Sequence, residues 1–178
     1  MITGQSGRPA QSGRAGSVTV PGILLGIGLG GFVDGILLHQ VLQWHHMLSA
    51  SGSYPVDTVR GLEVNTLWDG LFHATTWLFV LVGLFLLWRA LADGTRHWSF
   101  RTLSGPLLVG WGVFNLVEGV VDHHVLSIHH VRDDVANPLW WDLGFLALGV
   151  SLILSGLSLR GATQRRDSDL GQRPDHER

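Results

Sequence analysis

Four stretches of the chain, about residues 18–42, 67–91, 103–126 and 138–159, are apolar with few interruptions, and short polar segments separate them. A helix needs roughly 20 mostly apolar residues to cross the hydrocarbon layer of a membrane. The pattern therefore predicts an all-α, integral-membrane four-helix bundle spanning residues 18–160. Glycines recur within the apolar runs at helical spacing: Gly22, Gly26 and Gly30 lie four apart, as do Gly31 and Gly35. Small residues so spaced let helix backbones approach closely in lipid. Residues 1–17 and 161–178 are small and polar and are expected to be disordered tails. The first apolar run is too long for a cleaved signal peptide and carries Asp34 within it.

Composition agrees with the membrane class. The 178 residues are 46% hydrophobic and 15% charged, against about 25% charged in soluble domains. No cysteine is present, which removes disulfides, thiolate metal sites and a cysteine nucleophile. The net charge of −2 speaks against a nucleic-acid partner. The partner it implies is the lipid bilayer, with another membrane protein or a second copy of the chain left open. Every basic residue is arginine, and ten of the twelve fall before span one, near the connection of spans two and three, or after span four. Only Arg60 and Arg132 lie on the other side. The positive-inside rule then predicts a multi-pass protein of a bacterial plasma membrane with both termini cytoplasmic. Trp44, Trp68, Trp140 and Trp141 read as an outer aromatic belt, and Arg60, Arg132, Asp133 and Asp134 as a solvated rim.

The polar positions inside the apolar runs change the picture. His97 and His176 fall in a connection and a tail. The other eight histidines, His39, His45, His46, His73, His123, His124, His129 and His130, all lie near the outer ends of spans or just beyond them. Six of these belong to an internal repeat. At an offset of 84, Gly26 and Gly28 fall on Gly110 and Gly112, Asp34-Gly35 on Glu118-Gly119, His39 on His123, and His45-His46 on His129-His130. At an offset of 73, Trp68-Asp69 falls on Trp141-Asp142 and Phe72 on Phe145. The expected architecture is two parallel two-helix repeats, 18–91 and 103–159, related by an axis along the membrane normal. That axis would bring spans one and three together. Leu38 against Asp122, Gln40 against His124 and His73 against Leu146 break the symmetry.

Asp34 and Glu118 are the deepest acids. A carboxylate at such depth costs about 2.5–3.5 kcal/mol on insertion scales, so it is expected to be paired, protonated or liganded. Both are candidates for proton transfer or for ligation. Asp69 with His73, and Glu118 with Asp122, share helix faces at i,i+4. The candidate metal ligands are His39, His45, His46, Asp69, His73, Glu118, Asp122, His123, His124, His129 and His130. On a continuous helix His39 and His46 stand roughly 10 Å apart. They reach one ion only if the helix ends between them. One dinuclear site, two mononuclear sites, or one ion with accessory histidines all remain open. Imidazole and carboxylate without sulfur favour iron or copper, with zinc a further choice.

These residues carry a resemblance. The chain resembles a group of small four-span bacterial predicted membrane proteins classed as a domain of unknown function. Their DG-x3-HQ-x-LQWHH, WDGxFH and EG-x2-DHHxLxxHHVR segments read here as Asp34–His46, Trp68–His73 and Glu118–Arg132. The resemblance covers about 18–160 and implies the four-span fold and the importance of the motif residues; it brings no established activity. The leading function is a His/carboxylate metalloprotein, with a membrane oxidoreductase as its enzymatic form. The alternatives are a metal-handling or assembly factor for a copper or haem enzyme, a membrane cytochrome b holding haem b, and a cofactor-free structural or sensory subunit.

Overall fold

A computed structural model describes residues 17–92 and 99–171. The first sixteen residues, His97 and His176 lie outside the described residues, as does the expected disorder of the N-terminal tail. All regular structure among the described residues is helical: α1 (Thr19–Val33), π1 (Asp34–Val41), α2 (Val59–Ala92), α3 (Phe100–Glu118), π2 (Gly119–Val125) and α4 (Leu139–Gly171). Four segments are long and apolar enough to cross a membrane: Thr19–Val41, Val59–Ala92, Phe100–Val125 and Leu139–Ala162. The second begins eight residues before the expected start at 67, because the Thr58 hydroxyl accepts the Gly61 backbone N–H and caps the helix there. The fourth continues through residues 161–171, where disorder was expected. No proline follows Pro138 until Pro174, so nothing in the sequence breaks the helix sooner.

The helices stand in a row. α1 and α3 form the central pair, α2 packs on α1, and α4 packs on α3; among the described residues the backbones of α2 and α4 do not approach closely, and neither do those of α1 and α4. The central contact depends on glycine. A Cβ on Gly26 would lie 2.0 Å from the Leu107 carbonyl oxygen, and one on Gly110 would lie 2.0 Å from that of Ile23. The two backbones are in direct contact at these residues, which fall on one another at the offset of 84. Gly28 and Gly31 turn instead to α2, where a Cβ would meet Val80 and Thr76. The glycine spacing therefore serves two interfaces of one helix.

Each central helix ends in a π segment. Leu42 N–H donates to the Leu37 carbonyl at 2.8 Å, and Leu126 N–H to the Val121 carbonyl at 2.8 Å. These i→i+5 bonds add a residue to the turn. The chain then leaves the helix through Gln43 (φ 52°) and Ser127 (φ 50°), a left-handed conformation uncommon for any residue but glycine. Trp44 N–H to Leu38 O at 2.9 Å and Ile128 N–H to Asp122 O at 3.0 Å close the two turns. Every partner in this set is matched at an offset of 84.

Gly26→Ala is expected to destabilise the protein by about 1–3 kcal/mol through overpacking, read as a lower melting temperature in detergent. Gly70→Ala, where an added Cβ meets nothing within 4 Å, should leave melting unchanged.

Candidate metal centre

The π segments solve a problem of direction. In an α-helix, residues five apart diverge by about 140° around the axis. Asp34 and His39 are five apart, as are Glu118 and His123. The extra residue in each turn brings them onto one face, and Asp34 Oδ2 lies 3.1 Å from His39 Nε2. The left-handed residue that follows then folds the chain back over the helix end. His45 thereby returns to His39, with ring centroids 4.3 Å apart, and His129 returns to His123 at 4.9 Å. The condition set by the sequence, that the helix end between His39 and His46, is met.

Six groups converge: Asp34, His39, His45, Glu118, His123 and His129, none more than 4% exposed. Their donor atoms gather in threes within 4.8 Å of one another: His39, His45 and His129; Glu118, His123 and His129; and Asp34, His39 and Glu118. The rings of His45 and His129 stack at 4.6 Å across the two halves. Phe72 stacks on His39 at 5.6 Å, and Phe145 packs on His123 at 5.4 Å.

The outer nitrogens of three of the four histidine rings are held by hydrogen bonds. His45 Nδ1 donates to the Val131 carbonyl at 2.9 Å, and His129 Nδ1 to the Met47 carbonyl at 3.2 Å. A carbonyl only accepts, so in both rings Nδ1 carries the proton and Nε2 offers a lone pair. Each half here grips the other half's histidine. His39 Nδ1 lies 2.9 Å from Asp69 Oδ1; His123 Nδ1 is looser, 3.5 Å from Asp142 Oδ1.

Apart from the contact of Asp34 with His39, the inner atoms meet no hydrogen-bond partner. Among the described residues, nine buried side-chain polar atoms lack a hydrogen bond, and eight of them belong to these six groups. They include Nε2 of all four histidines, Asp34 Oδ2 and both Glu118 oxygens; the ninth is Asn115 Oδ1. An unmade hydrogen bond on a buried group costs about 1–3 kcal/mol. Eight clustered in one place, seven of them on the inner side and one the outer nitrogen of His123, form a set that could hold a metal ion.

The other predicted ligands stand around this cluster. Asp69 turns its carboxylate to His39, to His46 Nδ1 at 2.6 Å and to the Met47 N–H at 2.9 Å. Asp142 receives His130 Nδ1 at 2.8 Å and the Val131 N–H at 2.9 Å. His46 and His130 are thus drawn away from the centre. Asp69 does not pair with His73 through its carboxylate: His73 Nδ1 meets the Asp69 backbone oxygen at 2.7 Å. His124 Nδ1 meets the Gly119 oxygen at 2.7 Å and is exposed. Asp122 is half-buried and belongs to none of the three donor groups.

Asp142 was missing from the candidate ligands, although the match of Trp141-Asp142 to Trp68-Asp69 was its signal. Asn65, which accepts the Leu48 N–H at 2.9 Å and donates to the Tyr54 and Gly61 oxygens, ties down the first loop and gave no signal. At the rim, Arg132 pairs with Asp134 at 2.7 Å and lies over Trp44 and Trp141. Asp133 faces inward by comparison, accepting from the Ser49 hydroxyl and the His130 N–H.

The chain belongs to a family described as predicted membrane protein, DUF2243, whose model matches residues 21–163. It is therefore a membrane protein with four candidate spans. No curated protein and no solved structure matches it.

Burial, with the neighbouring His129 and His39 rings, pushes the His45 pKa down from 6.5 to about 3. Burial likewise lowers that of His129. Between 6.5 and about 3 the unfolded chain binds the proton that folded His45 refuses. Stability should therefore be full above 6.5 and fall as pH is lowered towards 3. Melting with chelator present should occur at a lower temperature at about pH 5 than at about pH 7.5. His45→Gln should show a smaller difference between the two.

Proposed function

We propose that this protein is a membrane metalloprotein of the oxidoreductase type, with a non-haem iron centre built from the six converging groups. The observation that carries the proposal is the set of four buried Nε2 atoms gathered with the Asp34 and Glu118 carboxylates, with the opposite ring nitrogens aimed at oxygen. Metal-bound histidines make that outer contact almost without exception. The two halves are read as repeats that contribute equally. Asp34, His39 and His45 hold one ion, and Glu118, His123 and His129 hold a second. Two histidines and one carboxylate per ion, with positions left open, is the donor set of non-haem iron that activates oxygen. Asp69 and Asp142 orient the ligands, and the arginine bias puts the centre at the extracytoplasmic side.

Burial favours a resident centre over a site that hands its ion on, since exchange needs ligands that solvent reaches. The packing of the imidazole rings against one another at 4.3–4.9 Å leaves no slot for a haem macrocycle and argues against a cytochrome b.

Protein purified without chelator is expected to contain about two equivalents of iron per chain by elemental analysis. One equivalent would assign a single ion to the His39, His45 and His129 group. The combined variant His39→Ala, His123→Ala should lose the metal, whereas His124→Ala should keep it. A folded wild-type protein with no stoichiometric metal would overturn the proposal.

A further inference from the structure

A cavity of about 410 Å³ lies beside the centre, between α1 and α4, whose backbones do not approach closely. α3 forms its floor with Trp111 and Asn115, and Leu37, Trp140, Trp141 and Phe145 form its walls. It reaches Asp34 at its inner end. Leu37, Leu148 and Trp140 on its margin are 43%, 49% and 71% exposed, on a flank that faces lipid in a four-span protein. The volume falls within the range of small-molecule sites, about 300–1,000 Å³, and such sites combine apolar walls with a few placed polar groups.

Two observations separate this groove from ordinary loose packing. The first is polar. Asn115 is 1% exposed, and its Oδ1 has no hydrogen-bond partner. An amide oxygen accepts and never donates, so the inner end of the groove lacks a donor. The second is the comparison of halves. The matching gap, between α3 and α2 over α1, is filled. Phe114 stands where Gly30 stands in the groove, Leu71 where Gly144 stands, and Gly31 where Asn115 stands. Phe114 packs there on Phe72 at 6.1 Å. At these positions one side carries the bulk of Phe114 and Leu71; the other carries glycine, space and an unpaired amide acceptor.

We propose that this groove binds a lipid-soluble aromatic alcohol of the phenol or hydroquinone class, which enters sideways from the bilayer. Its ring lies among Trp111, Trp141 and Phe145, aromatic surfaces that favour a flat partner. Its hydroxyl donates to Asn115 Oδ1, beside the Asp34 carboxylate. The claim concerns binding and stands without an ion in the neighbouring centre.

The test uses the whole chain in lipid nanodiscs, with 4-decylphenol and its methyl ether as probes and melting temperature and native mass spectrometry as readouts. The phenol should bind about tenfold more tightly than the ether, which has no proton to donate. Asn115→Ala should abolish that preference. Gly144→Leu adds the bulk that Leu71 supplies in the other half, at a residue where an added Cβ meets nothing within 4 Å; it should abolish binding of both probes. Metal content measured on the same samples separates loss of the groove from loss of the centre. Equal affinity for phenol and ether, unaltered binding by Gly144→Leu, or a groove sealed by a phospholipid chain or a second copy of the protein would each overturn the proposal.

Discussion

A carboxylate and an imidazole five residues apart cannot face one point from an α-helix, and the rest of this molecule follows from how that constraint is relieved. Each central helix widens for its last two turns, from Asp34 to Val41 and from Gly119 to Val125. The widening lets Asp34 and His39 share a face, then releases the chain through a left-handed residue that carries His45 back over them. Strained backbone of this kind persists only where surrounding contacts hold it. Those contacts are the capture of His46 and Met47 by Asp69, and of His130 and Val131 by Asp142.

The loops then bind the halves to each other. His45 is oriented by a carbonyl of the second half and His129 by a carbonyl of the first. Asp133 N–H to Trp44 O at 3.0 Å and Ala50 N–H to Ile128 O at 2.9 Å continue the exchange. The result is a shell in which the outward ring nitrogens of His39, His45 and His129 are satisfied and their inward ones are not. A four-helix row has little core of its own: Leu25, Leu103 and Val131 are its only buried large hydrophobic residues among those described. Helix contact is made by glycine backbones and the loops by hydrogen bonds, as suits a chain whose apolar side chains face lipid.

The near-equivalence of the halves makes their differences informative. His39 sits against Asp69 at 2.9 Å, while His123 stands off Asp142 at 3.5 Å. Gly30 and Gly144 leave open on one flank what Phe114 and Leu71 fill on the other. The polar cluster is shared between the halves, but the groove beside it lies on one flank.

Four spans, a layer of histidines, and the match of Asp34 to Glu118 and of His39 to His123 could all be read from the amino-acid order alone. Apolar length, polar position and a repeated motif are local properties that need no coordinates. The sequence also stated the condition for His39 and His46 to approach, without telling which member of each adjacent pair turns inward. That choice belongs to the tertiary structure, because it depends on φ at Gln43 and Ser127 and on which ring the aspartate of the next helix captures. His45 and His129 go in since Asp69 and Asp142 take His46 and His130. The central pairing of spans one and three and a signal for Asp142 were legible in the repeat; the groove was out of reach. It arises between segments distant in the chain, and a hydrophobic pattern records which face of a helix is apolar but not which neighbour covers it.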